Sequence, residues 1–259
     1  MDLGIRGRKA IVCASSRGLG KACATSLARE GVDVVINGLH EDRLEAARAD
    51  IEALGGGSVA VVLADINTQQ GRAALIASCP EADILINNNE GPPPGRFADW
   101  QREDLQRALD ANLMAPVFMI QGLISGMAER HFGRIVNITS AMVKSPRAPM
   151  GLSTAARSGL TALCKGLSRE VAASNVTINN LLPERFDTDR QRYMVEMAMK
   201  VRGVSREEAH AEMISSIAAG RMGIPSELGD ACAFLCSVQA GFISGQNLQL
   251  DGGSYAGLI

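Results

Sequence analysis

The stretch KAIVCASSRGLGKACATSLAREG, from Lys9 to Gly31, decides the fold. Its first six residues form an apolar run typical of a buried strand. Beyond Gly18 the apolar residues recur at intervals of three and four, which is typical of a helix. A short strand that passes through a glycine-containing turn into a helix is the first half of a βαβ unit. The stretch therefore predicts a parallel sheet with a ligand-binding edge at this turn.

The rest of the chain repeats this alternation of apolar runs and helical patterns. We predict an α/β protein, a doubly wound seven-stranded parallel sheet (Rossmann fold) with helices on both faces, in a single domain spanning residues 1–259. The polar, Met-rich segment 185–222 fits no strand, and we expect a helical substrate lid there. Long helices are expected from about Ala111 to Arg130 and from about Leu152 to Ala173. The six strands expected after the first are VDVVIN (32–37), SVAVVLAD (58–65), ADILINN (82–88), GRIVNIT (133–139), NVTINNLLP (175–183) and GQNLQLDGG (245–253).

Composition excludes several classes of protein. The 259 residues carry a formal net charge of −2 with both signs interspersed, so no basic stripe suggests nucleic-acid binding. The N-terminal residues lack a signal-peptide core, which predicts a cytoplasmic location. The uncharged run Ala111–Ala128 is the one membrane candidate, but it contains Asn112, Pro116 and Gln121, so we expect a buried helix or subunit contact. Three dispersed histidines and six cysteines without CxxC spacing predict reduced core thiols and no metal site.

The glycine turn CASSRGLG (Cys13–Gly20) has two interpretations when taken alone. Glycines between a strand and a helix let the backbone approach a pyrophosphate, whose charge the helix N-terminus stabilises. The same residues could also be an ordinary helix start. A Walker A phosphate loop is excluded because Ala22 stands where that motif needs Ser or Thr.

Several motifs in order resemble the short-chain dehydrogenase/reductase family, and the resemblance covers almost the whole chain. The family's TGxxxGIG turn appears as CASSRGLG, with Ala14 replacing the first glycine, and its NNAG appears as NNNE at 87–90. DAN ends at Asn112, the family's helix asparagine, and GRIVNITS ends at Ser140, its catalytic serine. LLPERFDTD and SGQNLQLDGG match the two segments that close the family's fold.

The resemblance implies a nicotinamide dinucleotide cofactor. NADP (NADPH) is expected and NAD is less favoured, because Asn37 stands where NAD-specific members have an acid. In addition, Arg17 resembles the basic residue that pairs with the 2′-phosphate. Arg17 could instead be a solvated loop charge, and Asp65, which resembles the adenine contact, could be a helix N-cap. The implied cofactor-binding residues are Ala14, Ser16, Arg17, Gly18, Leu19, Gly20, Asn37, Asp65, Asn88, Arg157, Pro183 and Thr188.

The resemblance fails at the residues that move the proton. Family members place a tyrosine thirteen residues after the serine and a lysine four residues further on; here these positions hold Ser153 and Arg157. Positions i and i+4 share one helical face, so the geometry is preserved. A serine hydroxyl is a far weaker acid than a phenol, and an arginine stays protonated, so the usual proton relay does not transfer. The resemblance implies a catalytic set of Asn112, Ser140, Ser153 and Arg157, to which we add Lys144 as a candidate substitute acid.

Each replaced position keeps two interpretations. Ser153 either fills a vacated site or positions water or substrate, and Arg157 either binds the ribose or is a helix-surface charge. Lys144 is either an exposed loop lysine or a substitute acid, partly desolvated near Arg157. Tyr193 in the lid is either a packing residue or another donor. The proline run GPPPG (91–95) is expected to form a stiff wall beside the nicotinamide, rather than a partner-binding motif.

Two function classes follow. The first is an NADP-dependent oxidoreductase that interconverts a small-molecule carbonyl and an alcohol with an altered proton donor. The second is a non-catalytic dinucleotide-binding sensor or scaffold of the same fold. The two long helices are apolar over more of their circumference than one sheet face requires. Together with the resemblance, this predicts a homo-oligomer, a dimer or more specifically a homotetramer.

Overall fold

The computed structural model describes residues 2–258. Its strands are β1 (Lys9–Val12), β2 (Asp33–Gly38), β3 (Val59–Leu63), β4 (Ile84–Asn87), β5 (Gly133–Ile138), β6 (Val176–Pro183) and β7 (Asn247–Leu250). Its α-helices are α1 (Gly18–Arg29), α2 (Glu41–Glu52), α3 (Gln69–Ser78), α4 (Arg102–Leu109), α5 (Ala115–Glu129), α6 (Gly151–Val171), α7 (Asp189–Arg202), α8 (Arg206–Ile214) and α9 (Pro225–Cys236).

All seven strands are parallel and form one sheet in the order β3-β2-β1-β4-β5-β6-β7. The predicted fold class is therefore confirmed. The strand order reverses between β1 and β4, and parallel α/β sheets bind ligands at the carboxyl edge beside such a reversal. The turn after β1 and the loops after β4 and β5 meet at that edge.

The core has two halves, one on each face of the sheet. Along β1, Ala10 and Val12 belong to one buried cluster, whereas Ile11 belongs to the other. This alternation follows from the two-residue period of a strand, which sends successive side chains to opposite faces. A parallel sheet covered by helices on both faces needs apolar residues at every position, which explains the uninterrupted apolar runs of the sequence.

Four asparagines interrupt these apolar runs near the carboxyl edge and bond to one another across the sheet. Asn87 Nδ2 donates to Asn137 Oδ1 (2.9 Å), and Asn137 Nδ2 donates to Asn180 Oδ1 (2.9 Å). Asn180 Nδ2 donates to Asn247 Oδ1 (2.8 Å). Buried amides must be hydrogen-bonded, so this ladder fixes the register of β4 to β7. The ladder therefore also fixes the positions of the loops that follow β4, β5 and β6 relative to one another.

The helix expected to begin near Ala111 begins earlier, at Arg102, and contains a π-helical turn over Asp110–Met114 that joins α4 to α5. The prediction missed its start because α4 is charged. By length and composition Arg102–Glu129 could cross a membrane. However, Met119 and Leu123 of α5 are buried in the core against the sheet, which identifies a core helix.

The segment expected to form a lid contains α7 and α8. Thr188 caps α7 through its side chain, Gly203 ends it in a left-handed conformation (φ 66°), and Ser205 caps α8. Arg185 ties the segment together by donating from its guanidinium to the Met213 carbonyl oxygen. This segment thus starts at the carboxyl end of β6.

Candidate active site

The turn between β1 and α1 is shaped to approach a ligand with its backbone. Ala14 and Gly18 both have positive φ (45° and 58°). A Cβ added to Gly20 would lie 2.4 Å from the Ala14 carbonyl oxygen, so only glycine fits there. In the described chain α1 has neither a side-chain cap nor an acid in its first turn. Its first N–H groups are therefore available to an anion.

The resemblance implied that Asn37 faces the cofactor ribose, but its side chain is buried instead. It is 1% exposed; its Oδ1 accepts from Ala14 N, and its Nδ2 donates to the Val62 and Ala64 carbonyl oxygens. The side-chain amide of Asn37 is therefore already hydrogen-bonded within the protein, and we assign Asn37 the role of holding the glycine turn. The residue that faces the turn is Gly38, whose added Cβ would lie 3.2 Å from Ser16 Oγ.

At this end of the site, one basic and one acidic residue form an ion pair. Arg17 is half-exposed, and its Nη1 lies 3.7 Å from Asp189 Oδ2 at the start of α7. An exposed pair of this kind is weak, so Arg17 is free to exchange partners. Asp65 accepts from Asn67 N through Oδ1, while Thr68 caps α3. The alternative of Asp65 as a helix N-cap was wrong because Thr68 occupies that position.

The loop after β4 contacts both the glycine turn and the helix asparagine. Asn88 Nδ2 donates to the Ala14 carbonyl oxygen (3.0 Å). Asn89 Nδ2 donates to the Ala111 carbonyl oxygen, and Asn112 Nδ2 donates to that of Glu90 (3.2 Å). Asn112 is buried, and its Oδ1 has no partner in the described chain. A buried amide oxygen left open is the kind of group that a ligand or water satisfies.

The predicted cofactor residues of β6 and α7 lie opposite the glycine turn. Pro183 is buried at the end of β6, and Thr188 places its Cγ2 3.9 Å from the point where a Gly18 Cβ would lie. A cleft of about 320 Å³ lies between one face of α1, from Gly18 to Arg29, and residues 187–192. Leu19 is half-buried and packs against the core from within α1.

Arg157 is buried, not a helix-surface charge. Its side chain turns to the loops after β4 and β5: Nη1 donates to the Ile138 (2.6 Å) and Thr139 (3.0 Å) carbonyl oxygens. Nη2 reaches the Asn89 carbonyl oxygen at 3.5 Å, a weak contact. Burial, and secondarily the charge of Arg190, lowers the pKa of Arg157 to about 10, so it remains a cation at neutral pH.

Of the two serines in the implied catalytic set, Ser153 contacts this guanidinium, and Ser140 follows a residue that does. Ser153 is 4% exposed, and its Oγ accepts from Arg157 Nε at 3.2 Å. Ser140 directly follows Thr139, and its Oγ accepts from Met142 N, which leaves its proton free to donate. The structure thus brings Asn112, Ser140, Ser153 and Arg157 to one place.

The two proposed substitute donors lie further out. Lys144 is exposed, with Nζ 5.7 Å from the ring centroid of Tyr255, so the partial desolvation expected for it is not observed. Tyr193 is 58% exposed on α7. Among the described residues, neither side chain forms a hydrogen bond or ion pair with Ser140 or Arg157.

The proline run forms a braced wall. Gly95 N donates to the Pro149 carbonyl oxygen (2.9 Å), which ties the wall to the start of α6. Trp100 packs so closely on Gly151 that an added Cβ would lie 2.3 Å from the ring. The segment from the wall to Trp100 is therefore packed against the start of α6.

Two groups of the site had no sequence signal. Arg190, on the first turn of α7, donates to the Gly91 (2.9 Å) and Pro92 (3.0 Å) carbonyl oxygens. Glu184, which follows β6, has a 5% exposed side chain that pairs with Arg147 (2.9 Å). From the sequence, an isolated charged residue in a polar segment cannot be distinguished from a solvent-exposed one. Only the fold shows which groups it contacts.

Comparison with known proteins agrees with this geometry. The family model described as enoyl-(acyl carrier protein) reductase matches residues 13–255. The chain is 34% identical over 252 residues to the NADPH-dependent reductase BacG of Bacillus subtilis, covering 95% of this chain and 97% of that one. It is 29% identical to the 3-oxoacyl-[acyl-carrier-protein] reductase FabG of Vibrio cholerae, covering 98% and 99%.

Solved structures are similar over the same length. An L-sorbose reductase from Gluconobacter frateurii, crystallised with NADPH and L-sorbose, superposes with a TM-score of 0.95 at 28% identity, covering 100% of both chains. YwfH, an NADPH-dependent reductase involved in bacilysin biosynthesis, superposes at 0.91 with 33% identity, covering 97% of this chain and 100% of that one. From the sheet order, the glycine turn and these matches, the chain belongs to the short-chain dehydrogenase/reductase family of oxidoreductases.

Proposed function

We propose that the protein is an NADPH-dependent oxidoreductase that interconverts a carbonyl and an alcohol on a small molecule, with an altered proton donor. The observation that carries the proposal is the uncapped start of α1, which lies behind a turn that only Gly20 permits. The relatives named above as NADPH-dependent support the choice of cofactor.

The cofactor site is proposed to use the carboxyl edge from β2 to β6. The α1 N-terminus binds the pyrophosphate, with Ala14, Gly18, Leu19 and Gly20 supplying backbone. Ser16 and Arg17 bind the 2′-phosphate once Arg17 leaves Asp189, since phosphate is a stronger partner than an exposed carboxylate. Asp65 borders the adenine, and Asn88 borders the nicotinamide ribose. Pro183 and Thr188 close the opposite side of the cofactor site.

The bound cofactor supplies or accepts the hydride; the chain's own residues bind the substrate oxygen. Ser140 donates to that oxygen, because its own acceptor lone pair already takes Met142 N. The cationic Arg157 donates to the carbonyl oxygen of Thr139, the residue before Ser140. Its positive charge therefore stabilises negative charge that develops on the substrate oxygen. Asn112 Oδ1 is open to a ribose hydroxyl or a water.

The proton is proposed to come from a group other than position 153. Ser153 Oγ is engaged by Arg157 Nε and is too weak an acid, so we assign it to positioning the guanidinium. Lys144 and Tyr193 stay the proposed donors, and both must move inward when the lid (residues 185–222) covers a substrate. Losing a general acid costs ~10²–10⁴-fold, so turnover is expected to be slow, not absent.

Titration of the purified chain with NADPH and NADH, followed by a screen of carbonyls for NADPH oxidation, tests the proposal. We expect NADPH to bind at least tenfold more tightly, because 2′-phosphate gains a charge-assisted contact. Lys144→Ala or Tyr193→Phe should lower turnover, and Lys200→Ala, an exposed lysine at the end of α7, is the matched control. Tight NADPH binding without turnover of any carbonyl would support the sensor or scaffold alternative.

We also propose a cytoplasmic homotetramer. Phe118 of α5 and Leu163 of α6 are exposed (39% and 43%), as are Phe242 and Leu248 beside the edge strand β7. Large exposed apolar side chains in two separate patches are typical of two symmetric interfaces. Light scattering at micromolar concentration is expected to give four times the chain mass of 27.3 kDa, and a monomer would contradict the proposal.

A further inference from the structure

The charge of Arg157 has no carboxylate partner. No ion pair joins it to an acid among residues 2–258, although it is buried. Its Nε and both Nη1 protons bond to Ser153 and to two carbonyl oxygens, whereas Nη2 has one 3.5 Å contact for two protons. A buried cation is normally paired, so an anion is the expected complement.

A second guanidinium points to the same place. A Cβ added to Gly91 would lie 3.4 Å from Arg157 Nη2 and 3.7 Å from Arg190 Nη2. Both nitrogens therefore border the space that the missing Gly91 side chain leaves. Arg190 is exposed, and its Nη1 and Nη2 also donate to the Gly91 and Pro92 carbonyl oxygens. Arg190 also forms no ion pair in the described chain, because Asp187 and Asp189 pair with Arg192 and Arg17. Two like charges held together favour a negatively charged ligand between them.

The position of the pair indicates which anion it binds. Gly91 follows β4, and Ile138 and Thr139 follow β5, whereas the phosphate-binding turn follows β1. Strands lie about 4.8 Å apart, so the pair is displaced by one to two strand spacings from the turn, toward Ser140. The pair therefore lies nearer to Ser140, where the substrate oxygen is proposed to bind, than to the turn proposed to hold the pyrophosphate.

We propose that Arg157 and Arg190 form a carboxylate-binding site and that the substrate is an oxo acid or hydroxy acid. Planar guanidinium groups match the two oxygens of a carboxylate. Ser140 would hold the substrate's carbonyl oxygen while the arginine pair holds its carboxylate, so the carbonyl is oriented by two separate contacts. This inference deepens the proposed function and rests on its placement of the substrate.

Binding of a carboxylate probe to the NADPH-loaded chain tests this site without requiring turnover. Benzoate and its neutral analogue benzamide are titrated by calorimetry into wild type, Arg190→Ala, Gly91→Ala and Arg192→Ala. Arg192 is the matched control, because it is an exposed arginine two residues from Arg190 on the same helix whose partners are Asp187 and Asp189. Gly91→Ala changes no charge but places a methyl group between the two guanidinium groups.

We expect benzoate to bind wild type and Arg192→Ala equally, and Arg190→Ala and Gly91→Ala at least tenfold more weakly. Benzamide should not distinguish the four proteins. Equal benzoate binding by Arg190→Ala and wild type would overturn the proposal. So would an Arg190→Ala variant that loses NADPH affinity instead, since the anion would then be a cofactor phosphate.

Failure of the proposed function gives a different result. If NADPH does not bind, the cofactor assignment fails, and the same four titrations with the unloaded chain then decide the arginine site. A selective loss of benzoate binding in Arg190→Ala would still support the carboxylate site, and no loss would contradict it.

Discussion

Two arginines are buried at opposite edges of the sheet, and they differ in how their charge is satisfied. Arg134 begins β5 at the amino edge and is 1% exposed; Arg157 lies at the carboxyl edge and is 8% exposed. Arg134 donates to the carbonyl oxygens of Ser237, Gly133 and Asn175 and to Asn175 Oδ1. Its guanidinium also lies 4.3 Å from the Phe132 ring centroid.

The difference separates a structural arginine from a functional one. Every nitrogen of Arg134 has a partner, and an aromatic face covers the charge, as expected of a group that joins loops. Arg157 has a weakly bound nitrogen, a second cation nearby and an adjoining cavity lined by Asn112. Burial alone therefore says little about an arginine's role; the unsatisfied donor is the informative feature.

The largest expected effect is on stability at the amino edge. Arg134→Met should lower the free energy of unfolding by about 3–5 kcal/mol, because three carbonyl oxygens, two of them buried, and a ring lose their partner. Arg157→Met should cost about 1 kcal/mol or less, since losing a partly unsatisfied buried charge offsets the lost hydrogen bonds. Urea unfolding of both variants measures the difference, and equal losses would remove the distinction between the two arginines.

Restoring the family's residues tests the catalytic side of the comparison. Ser153→Tyr with Arg157→Lys should raise the rate of carbonyl reduction about ten- to a hundredfold, or ~1.4–2.7 kcal/mol in barrier, on a neutral carbonyl that fits. Arg157→Lys alone is the control and should show no gain. A slower double variant would mean that the proton relay has been replaced by another donor, with Lys144 the first to test.

The pH dependence of anion binding should report the charge of Arg157. Its pKa of about 10 in the folded chain means that the cation persists at neutral pH and is lost as the pH rises through 10. Benzoate affinity should therefore be constant from about pH 7 to 9 and fall about fourfold by about pH 10.5. Calorimetry at matched ionic strength measures this. An affinity unchanged across that range would assign the anion to another group.

The smallest effect concerns an exposed arginine, which serves as the contrast to both buried ones. Asp189→Asn frees Arg17 from its 3.7 Å pair and should tighten NADPH binding about two- to threefold, without changing NADH binding. An exposed ion pair contributes ~0.2–1 kcal/mol, which sets this limit. Fluorescence titration with the two cofactors checks it, and Asp187→Asn is the control.

The fold could be predicted from the sequence because its signals are local. Each strand is a short apolar run, and each helix has its own period, so all seven strands were located to within a few residues. The π-helical turn at Asp110–Met114 could not be predicted, since it depends on Asn112 finding carbonyl partners in the distant loop after β4. The charged α4 before it offered only three apolar positions, Leu105, Ala108 and Leu109.

The positions of the site residues were predicted from the motifs. The structure differs from these predictions where side-chain packing, which the motifs do not encode, determines what a residue contacts. Asn37 stood at the expected position, yet the pleat turns its amide inward to Ala14, Val62 and Ala64. Arg190 had no signal, because its proximity to Arg157 depends on the packing of α7 against the proline run. Spacing identifies which residues share a helix face, but not which charges meet across loops.

The most direct test of the account is a crystal structure of the chain with NADPH and benzoate. We expect the benzoate carboxylate within hydrogen-bonding distance of Arg157 Nη2 and Arg190, the nicotinamide beside Ser140, and the pyrophosphate at the start of α1. A cofactor phosphate between the two arginines, or Arg157 turned out to solvent with the pocket empty, would contradict the central claim that a cationic pair binds the substrate at this edge.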